Sequence, residues 1–389
     1  MKADVIIIGG GIAGLWTLAR LRQLGYAAFL IESAALGGVQ SIASQGIIHG
    51  GSKYALGGKL GDSAKAIGDM PAVWNDCLSG QGELDLSGVR INTRKQLMWS
   101  TPGAVSKVAG FFAGQLMKDR MLQLDRKSFP APFDNSAFKG VIYELNEPVL
   151  DTASLMSTLV EQFGQYCLSA DVSFEKQNPL LVNCRHVASG EQMQLATCQL
   201  VLSAGAGNAA ILGQLQRDMP RMQKRPVHMV MVKGELPEIH AHCLGASANP
   251  RVTITSTRMQ DETVWYVGGQ IAENGVALNR EQQIDACRQE LKDVLPWLDF
   301  GRLQWSTLLL DRAEVETPGH KRPDSSYVGL DRGVITVWPT KLAFAPRVAS
   351  QVVELLQQQD LRPSADTAGL PGWPTPAIAR WPWEETFWS

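Results

Sequence analysis

The first 32 residues constrain the fold more than any other part of the chain. An apolar, β-branched run is followed by three glycines, Gly9, Gly11 and Gly14, spaced as G-x-G-x-x-G. A run of this kind is typical of a buried parallel strand. The first glycine allows a tight turn, the second lets the backbone approach a pyrophosphate, and the third lets a helix pack on the strand. The amides of Ile12 and Ala13 then begin a helix whose N-terminus faces the pyrophosphate. This unit predicts a site for the ADP half of a dinucleotide.

A second apolar strand ends at Glu32, 18 residues after Gly14. An acid at about this distance holds the ribose hydroxyls of a bound dinucleotide. We include Glu32 and its neighbour Ser33 in the predicted cofactor site. The motif itself does not distinguish FAD from NAD, although its position at the start of the chain favours FAD.

The composition limits the class of protein. With 389 residues, of which 45% are hydrophobic, the chain can form two domains, or one domain with a large insertion. The 36 basic and 38 acidic residues form no basic block, which argues against nucleic acid as a partner. We expect the N-terminal residues to form neither a signal peptide nor a membrane span. Six scattered cysteines without a C-x-x-C pair indicate reduced thiols in a cytoplasmic protein, with no metal cluster or disulfide framework.

The hydrophobic periodicity alternates between strands and helices. Asp151 is a typical N-cap for one of these helices. The predicted helices cover residues 62–79, 104–124, 153–167, 279–294 and 345–358. The predicted strands cover residues 89–99, 140–145, 171–176, 180–187, 191–197, 199–203, 226–234, 251–257, 263–271, 303–310 and 333–338.

Three further segments complete a family pattern. Residues 40–51 read QSIASQGIIHGG, residues 203–208 read SAGAGN, and residues 337–346 read VWPTKLAFAP. With the N-terminal unit, they make the chain resemble the D-amino acid oxidase, glycine oxidase and sarcosine oxidase family of FAD-dependent oxidoreductases. Residues 40–51 are most similar to the glycerol-3-phosphate dehydrogenase branch. The resemblance covers about residues 1–360.

The resemblance implies FAD as the cofactor and assigns these segments to it. Residues 40–51, which we call the flavin loop, would follow the pyrophosphate and pass beneath the flavin ring, and Ala204 and Gly205 would pack on the ribityl and phosphate region. The turn of Thr340, Lys341 and Leu342 would direct backbone N–H groups at the flavin N1–C2=O edge, where a helix N-terminus stabilises negative charge. In the flavin loop the predicted FAD contacts are Gln40, Ser41, Ser44, Gln45 and Gly46.

Four residues are candidates for catalysis or substrate binding. His49 would orient the substrate, accept a proton or form a covalent link to flavin, or it only stabilises the loop. Tyr54 would cover the flavin or pack in the core. Arg312 would bind an acidic substrate through both arms of its guanidinium, or it forms an ion pair with Asp311, Glu314 or Glu316. Arg322 is the alternative for that role.

The resemblance implies an α/β protein. A Rossmann-like FAD-binding domain of the glutathione-reductase-like, D-amino acid oxidase type would contain residues 1–80, 140–212 and 310–365. A sheet-rich α+β substrate domain would contain residues 81–139 and 213–309. A Trp- and Pro-rich tail, residues 366–389, would cover apolar surface or contact another subunit.

The expected reaction is oxidation of a small amine, amino acid or hydroxy acid by hydride transfer to flavin N5, with oxygen or a quinone as electron acceptor. An anionic substrate is favoured by the arginines. The alternative is a flavin-binding subunit of a larger dehydrogenase complex without independent turnover, and the tail is its sequence support.

Overall fold

The computed structural model describes residues 2–51, 67–101, 103, 121–175, 180–245, 249–364 and 372–389. In chain order the strands are β1 (Lys2–Ile8), β2 (Ala28–Glu32), β3 (Ile91–Thr93), β4 (Gln96–Ser100), β5 (Met121–Gln123), β6 (Ile142–Leu145), β7 (Val149–Leu150), β8 (Cys167–Glu175), β9 (Leu180–His186), β10 (Gln192–Leu202), β11 (Met222–Gly234), β12 (Ala241–Leu244), β13 (Val252–Met259), β14 (Glu262–Gly268), β15 (Gln304–Val315), β16 (Tyr327–Asp331) and β17 (Val334–Trp338). The helices are α1 (Ile12–Gln23), α2 (Met70–Leu78), α3 (Thr152–Phe163), α4 (Gly207–Gln214), α5 (Gln270–Asn274), α6 (Arg280–Val294) and α7 (Ala345–Gln358).

The first sheet has seven strands in the order β1-β2-β8-β9-β10-β17-β16, and β1 also pairs with β10. The pairs β2–β8, β1–β2, β1–β10 and β10–β17 are parallel. Helices α3 and α7 pack against α1 on one side of this sheet, over a core that includes Trp16 and Trp74. Buried parallel strands with helices on them are the Rossmann-like arrangement that the sequence predicts, and this expectation is confirmed.

The second sheet has eight strands in the order β15-β11-β14-β13-β12-β4-β6-β5. Its pairs are antiparallel apart from β12–β4. Helix α6 covers one face over an aromatic core that includes Trp99, Trp265 and Trp305. Side chains alternate between the two faces of a strand, so the opposite face carries Met229 and Tyr266, which pack with Trp383 from the end of the chain.

Several predicted elements need correction. The strand expected over residues 89–99 is two short strands in different sheets, because the chain turns where the Lys95 N–H bonds to Thr93 Oγ1 at 3.2 Å. A helix is expected over residues 104–124, but its last part forms strand β5 (Met121–Gln123) in the structure. Residues 104–120 lie outside the described residues. The strand expected over residues 263–271 ends at Gly268, since Gly269 has a φ of 92° and α5 follows.

Three strands, β7, β12 and β16, lie in segments where the sequence predicts none, and residues 192–202 form one continuous strand in place of two. The predicted division into FAD-binding and substrate domains stays a prediction. Strand β6 and the second half of β15 lie within the ranges predicted for the FAD-binding domain, and both belong to the second sheet. None of the helices among the described residues is long and apolar enough to cross a membrane.

Candidate functional site

The turn after β1 has room only for glycine. Gly9 has a φ of 108°, and a Cβ there would lie 2.5 Å from the Cα of Ala204. A Cβ on Gly14 would lie 2.0 Å from the carbonyl oxygen of Gly9. The Ser203 hydroxyl donates to the carbonyls of Ile8 and Gly9 at 3.0 and 2.8 Å. The predicted residues Ala204 and Gly205 therefore lie beside the glycine turn.

The N-terminus of α1 meets the flavin loop. The N–H of Ile12 donates to Ser41 Oγ at 2.9 Å, and a Cβ on Gly11 would lie 3.3 Å from the same oxygen. The first turn of the helix, Ile12–Leu15, carries only apolar residues and glycine. Its backbone amides therefore supply positive potential to the space above the turn, which suits a pyrophosphate.

Glu32 lies at the end of β2 with its carboxylate held by the backbone. Its two oxygens accept the N–H of Gly10 at 2.7 Å and the N–H of Ala34 at 2.8 Å. The neighbouring Ser33 is exposed. The carboxylate is thus fixed next to the glycine turn, where a ribose would lie if the pyrophosphate binds at α1.

The flavin loop crosses several strands of the second sheet. Gln40 Oε1 accepts the N–H of Ala313 on β15 at 3.2 Å. Gln45 Nε2 donates to the carbonyls of Thr253 on β13 and Tyr266 on β14 at 3.0 and 2.9 Å. The loop therefore contacts the N-terminus of α1 through Ser41 and the second sheet through Gln40 and Gln45.

Two other predicted loop residues serve the local backbone. Gly46 has a φ of 69°, and a Cβ there would lie 2.0 Å from the carbonyl oxygen of Leu150. The hydroxyl of Ser44 accepts the N–H of Gly46 at 3.4 Å. The glycine is required by a close approach of two chain segments.

His49 lies in a polar cluster that the sequence did not predict. Its Nδ1 is 3.5 Å from Oε2 of the buried Glu147, whose Oε1 accepts the N–H of Gly50 at 2.8 Å. The His49 ring stacks on the buried His242 with the ring centroids 5.7 Å apart. His242 Nδ1 lies 2.7 Å from Thr253 Oγ1. Glu147 and His242 come from β-strand regions distant in sequence, and nothing in the local pattern around them indicates that they meet His49.

The turn before α7 packs on the turn after β10. Trp338 Nε1 donates to the carbonyl of Gly205 at 3.0 Å, and Asn208 Nδ2 donates to the carbonyl of Val337 at 3.1 Å. Two of the segments singled out in the sequence are thereby brought together. Thr340 has a φ of 61°, and Leu342 begins a short 3₁₀ helix.

Lys341 in this turn is 9% exposed, and its Nζ lies 4.9 Å from the centroid of the Phe344 ring. Its own N–H donates to the carbonyl of Pro339 at 2.7 Å. The side chain therefore packs along an aromatic face, while the backbone closes the turn. A role of this turn at the flavin stays a prediction.

Arg312 lies on β15, one residue before the contact with Gln40. Its Nε donates to the carbonyl of Arg225 at 3.2 Å and its Nη2 to Glu273 Oε1 at 3.3 Å. Burial lowers the pKa of the Arg312 guanidinium, and the positive charge of Arg225 lowers it further. The charged form is therefore destabilised, and a bound anion would compensate for this.

The ion pairs suggested by sequence proximity to Arg312 are wrong. Glu314 is buried and pairs with Arg225 at 2.7 and 3.0 Å, and Asp311 pairs with Lys224 at 3.0 Å. The observed partner is Glu273 on α5. Arg322 is close enough to Arg312 to lower its pKa electrostatically, so the two predicted arginines share one cluster. The fourth candidate, Tyr54, lies outside the described residues.

Comparison with known proteins defines the class. The sequence matches the FAD-dependent oxidoreductase family, DAO, over residues 4–326. The chain therefore belongs to this family. It is 44% identical over 392 residues to the probable FAD-dependent oxidoreductase PA4991 of Pseudomonas aeruginosa, covering 100% of this chain and 99% of that protein. The crystal structure of PA4991 covers 99% of this chain and 98% of its own, with a TM-score of 0.84 and 40% identity.

Two more distant structures share the fold. Glycine oxidase from Geobacillus kaustophilus is 14% identical with a TM-score of 0.63, covering 94% of this chain and 97% of that one. L-α-glycerophosphate oxidase from Mycoplasma pneumoniae, a structure with FAD bound, is 14% identical with a TM-score of 0.65, covering 98% of this chain and 100% of that one. The predicted family, fold class, enzyme class and FAD cofactor are confirmed.

The residues present fit an FAD molecule. The glycine turn leaves a cradle that a Cβ would fill, the N-terminus of α1 provides amides for the pyrophosphate, and Glu32 provides the acid for the ribose. The individual residues that hold FAD remain predictions. No group of His, Cys, Asp and Glu side chains among the described residues is arranged to hold a metal ion.

Proposed function

We propose that the protein oxidises a small anionic substrate, an amino acid, a carboxylated amine or a hydroxy acid, and that Arg312 binds the substrate carboxylate. The observation that carries this proposal is the environment of Arg312. Burial and a neighbouring arginine destabilise its charged form, as the lowered pKa indicates. A carboxylate that forms two parallel hydrogen bonds to the guanidinium would restore this lost stability.

The position of Arg312 supports the same role. The next residue, Ala313, donates its N–H to Gln40 in the flavin loop. The guanidinium therefore lies at the junction of the second sheet and the loop expected beneath the flavin. Glu273 contacts it through one oxygen at 3.3 Å, and a substrate carboxylate would join or replace this contact. Arg322, in the same cluster, is the alternative ligand.

Bound FAD supplies the oxidising chemistry, by accepting a hydride from the substrate C–H next to nitrogen or oxygen. The side chains of this protein would bind and orient the substrate and move its proton. His49 is the candidate proton acceptor. The carboxylate of Glu147, 3.5 Å from Nδ1, would favour a proton on Nδ1 and leave Nε2 as the basic nitrogen. An amine can react once it is neutral, whereas a hydroxy acid needs such a base. Oxygen or a quinone would then accept the electrons.

Substitution of Arg312 tests the proposal. In Arg312→Leu, the substrate concentration that gives half-maximal flavin reduction should rise about 10- to 100-fold, the range for a lost charge-assisted hydrogen-bonded pair. FAD occupancy should stay unchanged. Arg312→Lys should recover only part of the loss, because lysine lacks the planar fork.

Arg258→Leu is a suitable control, since Arg258 lies on the same sheet and its Nη2 donates to the carbonyl of the nearby Asp261 at 3.3 Å. Arg322→Leu distinguishes the two candidate ligands. The proposal is wrong if neutral amines reduce the flavin as well as their carboxylated analogues do, in wild type and in Arg312→Leu alike.

A further inference from the structure

The last residues of the chain, 377–389, form a strap that connects the nucleotide-binding turn to the second sheet. The strap begins beside Leu36, just after β2. The N–H of Leu36 donates to the carbonyl of Ala377 at 2.8 Å, and the N–H of Ala379 donates to the carbonyl of Leu36 at 2.9 Å. Leu36 is fully buried, and its Cδ2 lies 2.5 Å from where a Cβ on Gly10 would be. The first anchor of the strap is therefore at the glycine turn.

The second anchor lies behind the flavin loop. Trp381 Nε1 donates to Thr152 Oγ1 at 3.0 Å, and the same hydroxyl donates to the carbonyl of Ile42 at 3.1 Å. Ile42 follows Ser41, which bonds to the N-terminus of α1. A chain of two hydrogen bonds thus connects the strap to the flavin loop, and such chains strengthen each other in a buried setting.

The third anchor lies on the second sheet. Trp383 is 6% exposed and stacks on Trp381 with centroids 5.3 Å apart. It also meets Tyr266 edge-on at 5.5 Å. The carbonyl of Tyr266 accepts the side-chain amide of Gln45 in the flavin loop. Each tryptophan therefore reaches the loop through one intervening residue, Trp381 through Thr152 and Trp383 through Tyr266.

The far end of the strap is fixed to the edge strand β15. Ser389 and Trp305 exchange two backbone hydrogen bonds at 2.9 and 3.1 Å. Arg280 Nη2 donates to the carbonyl of Phe387 at 3.0 Å, and Lys233 Nζ lies 4.9 Å from the centroid of the Trp388 ring. The strap is thus held at both ends, and its tryptophans contact this chain itself.

We propose that the strap clamps the flavin loop against the N-terminus of α1 and the second sheet, and that Trp381 and Trp383 are positioning residues for FAD. Ordering a loop on binding costs conformational entropy, and a loop that is already held in place binds its ligand more tightly. The strap would meet that requirement through Thr152 and Tyr266, which carry its contacts to the loop. The inference depends on FAD binding by the flavin loop and is independent of which substrate is oxidised.

The test compares two conservative substitutions within the tail of the full-length protein. Trp381→Phe keeps the aromatic ring and removes the N–H that reaches Thr152. Trp373→Phe is the matched control, because Trp373 Nε1 donates to Glu191 Oε2 at 2.9 Å, away from the flavin loop. When flavin is removed and FAD is added back, the dissociation constant for FAD should be about fivefold higher in Trp381→Phe than in wild type, as expected for one lost hydrogen bond. It should be unchanged in Trp373→Phe.

A spectroscopic reading separates positioning from general stability. At saturating FAD, the visible circular dichroism of the bound flavin should change in Trp381→Phe and not in Trp373→Phe. A lowered melting temperature in both variants, with unchanged FAD affinity and flavin spectrum, would overturn the proposal and leave the strap as a structural element.

A double-mutant cycle tests the connection through Thr152. Thr152→Val removes the shared hydroxyl, so the double variant Thr152→Val with Trp381→Phe should bind FAD about as weakly as Thr152→Val alone. If the two effects on the dissociation constant multiply, then Trp381 does not act through Thr152, and the proposed connection is wrong. Trp381→Ala should give a larger loss than Trp381→Phe, because it also removes the stacking on Trp383.

Discussion

Replacing Glu32 by alanine should weaken FAD binding by about 1–3 kcal/mol, or roughly 5- to 150-fold in the dissociation constant. The structure gives the basis for this range. The two carboxylate oxygens accept one N–H each, from Gly10 at 2.7 Å and from Ala34 at 2.8 Å. Alanine would remove both bonds, loosen the glycine turn and remove the acceptor expected for the ribose hydroxyls. Hydrogen bonds to a charged group contribute about 1.5–3 kcal/mol each, and water can replace part of this at a partly exposed site.

The assay is titration of flavin-free protein with FAD. The dissociation constant is measured from the quenching of flavin fluorescence and, independently, by calorimetry. Glu32→Gln should fall between wild type and Glu32→Ala, since the amide keeps one acceptor oxygen and loses the charge. Glu175→Ala on β8 is the control, because Glu175 contacts Asn183 on β9 and Gln194 on β10. An affinity of Glu32→Ala within twofold of wild type would refute the assignment of Glu32 to the FAD site.

Two further predictions concern the backbone turn and the pH dependence of stability. Gly14→Ala should yield protein with little flavin and with a free energy of unfolding lower by about 1–3 kcal/mol, because the new Cβ would lie 2.0 Å from the Gly9 carbonyl oxygen. The flavin-to-protein ratio of the purified protein and its unfolding in urea measure these two effects. Full flavin content would contradict the prediction. Burial lowers the pKa of His240 from 6.5 to about 4. The unfolded chain then binds more protons than the folded chain between these values, so stability is complete above pH 6.5 and falls as the pH falls towards 4, by up to about 3 kcal/mol. His240→Gln should reduce this loss in urea midpoints measured across that range, and an unchanged pH dependence would count against it.

Local patterns predicted the elements whose determinants lie close together in sequence. The last helix was expected over residues 345–358 and is Ala345–Gln358. Asp151 was expected to cap a helix, and its carboxylate accepts the N–H of Ser154 at 2.8 Å. Both depend on side chains within one or two helical turns. The strand over residues 89–99 failed because its alternation continues through a turn that takes the chain from one sheet to another.

The polar partners in the site could not be predicted in this way. Glu147 lies 97 residues from Gly50, which donates to it. Glu273 lies 39 residues from Arg312. The first contact joins the flavin loop to the segment after β6, and the second joins β15 to α5. Both are made by tertiary packing, which the spacing of residues in the sequence does not encode. For Arg312, neighbours in sequence suggested three partners. Asp311 points to the opposite face of the strand and pairs with Lys224, whereas Glu314 shares a face with Arg312 but pairs with Arg225 on the adjacent strand. The actual partner, Glu273, comes from α5.

The central claim is that FAD in this protein is reduced by a small anionic substrate. The most direct test is anaerobic titration of the flavin-loaded protein with a panel of amino acids, carboxylated amines and hydroxy acids, each paired with its neutral analogue. At least one carboxylated compound should bleach the visible flavin band at a much lower concentration than its neutral analogue does. Equal bleaching by both members of every reactive pair, or protein that cannot be loaded with FAD, would contradict the claim.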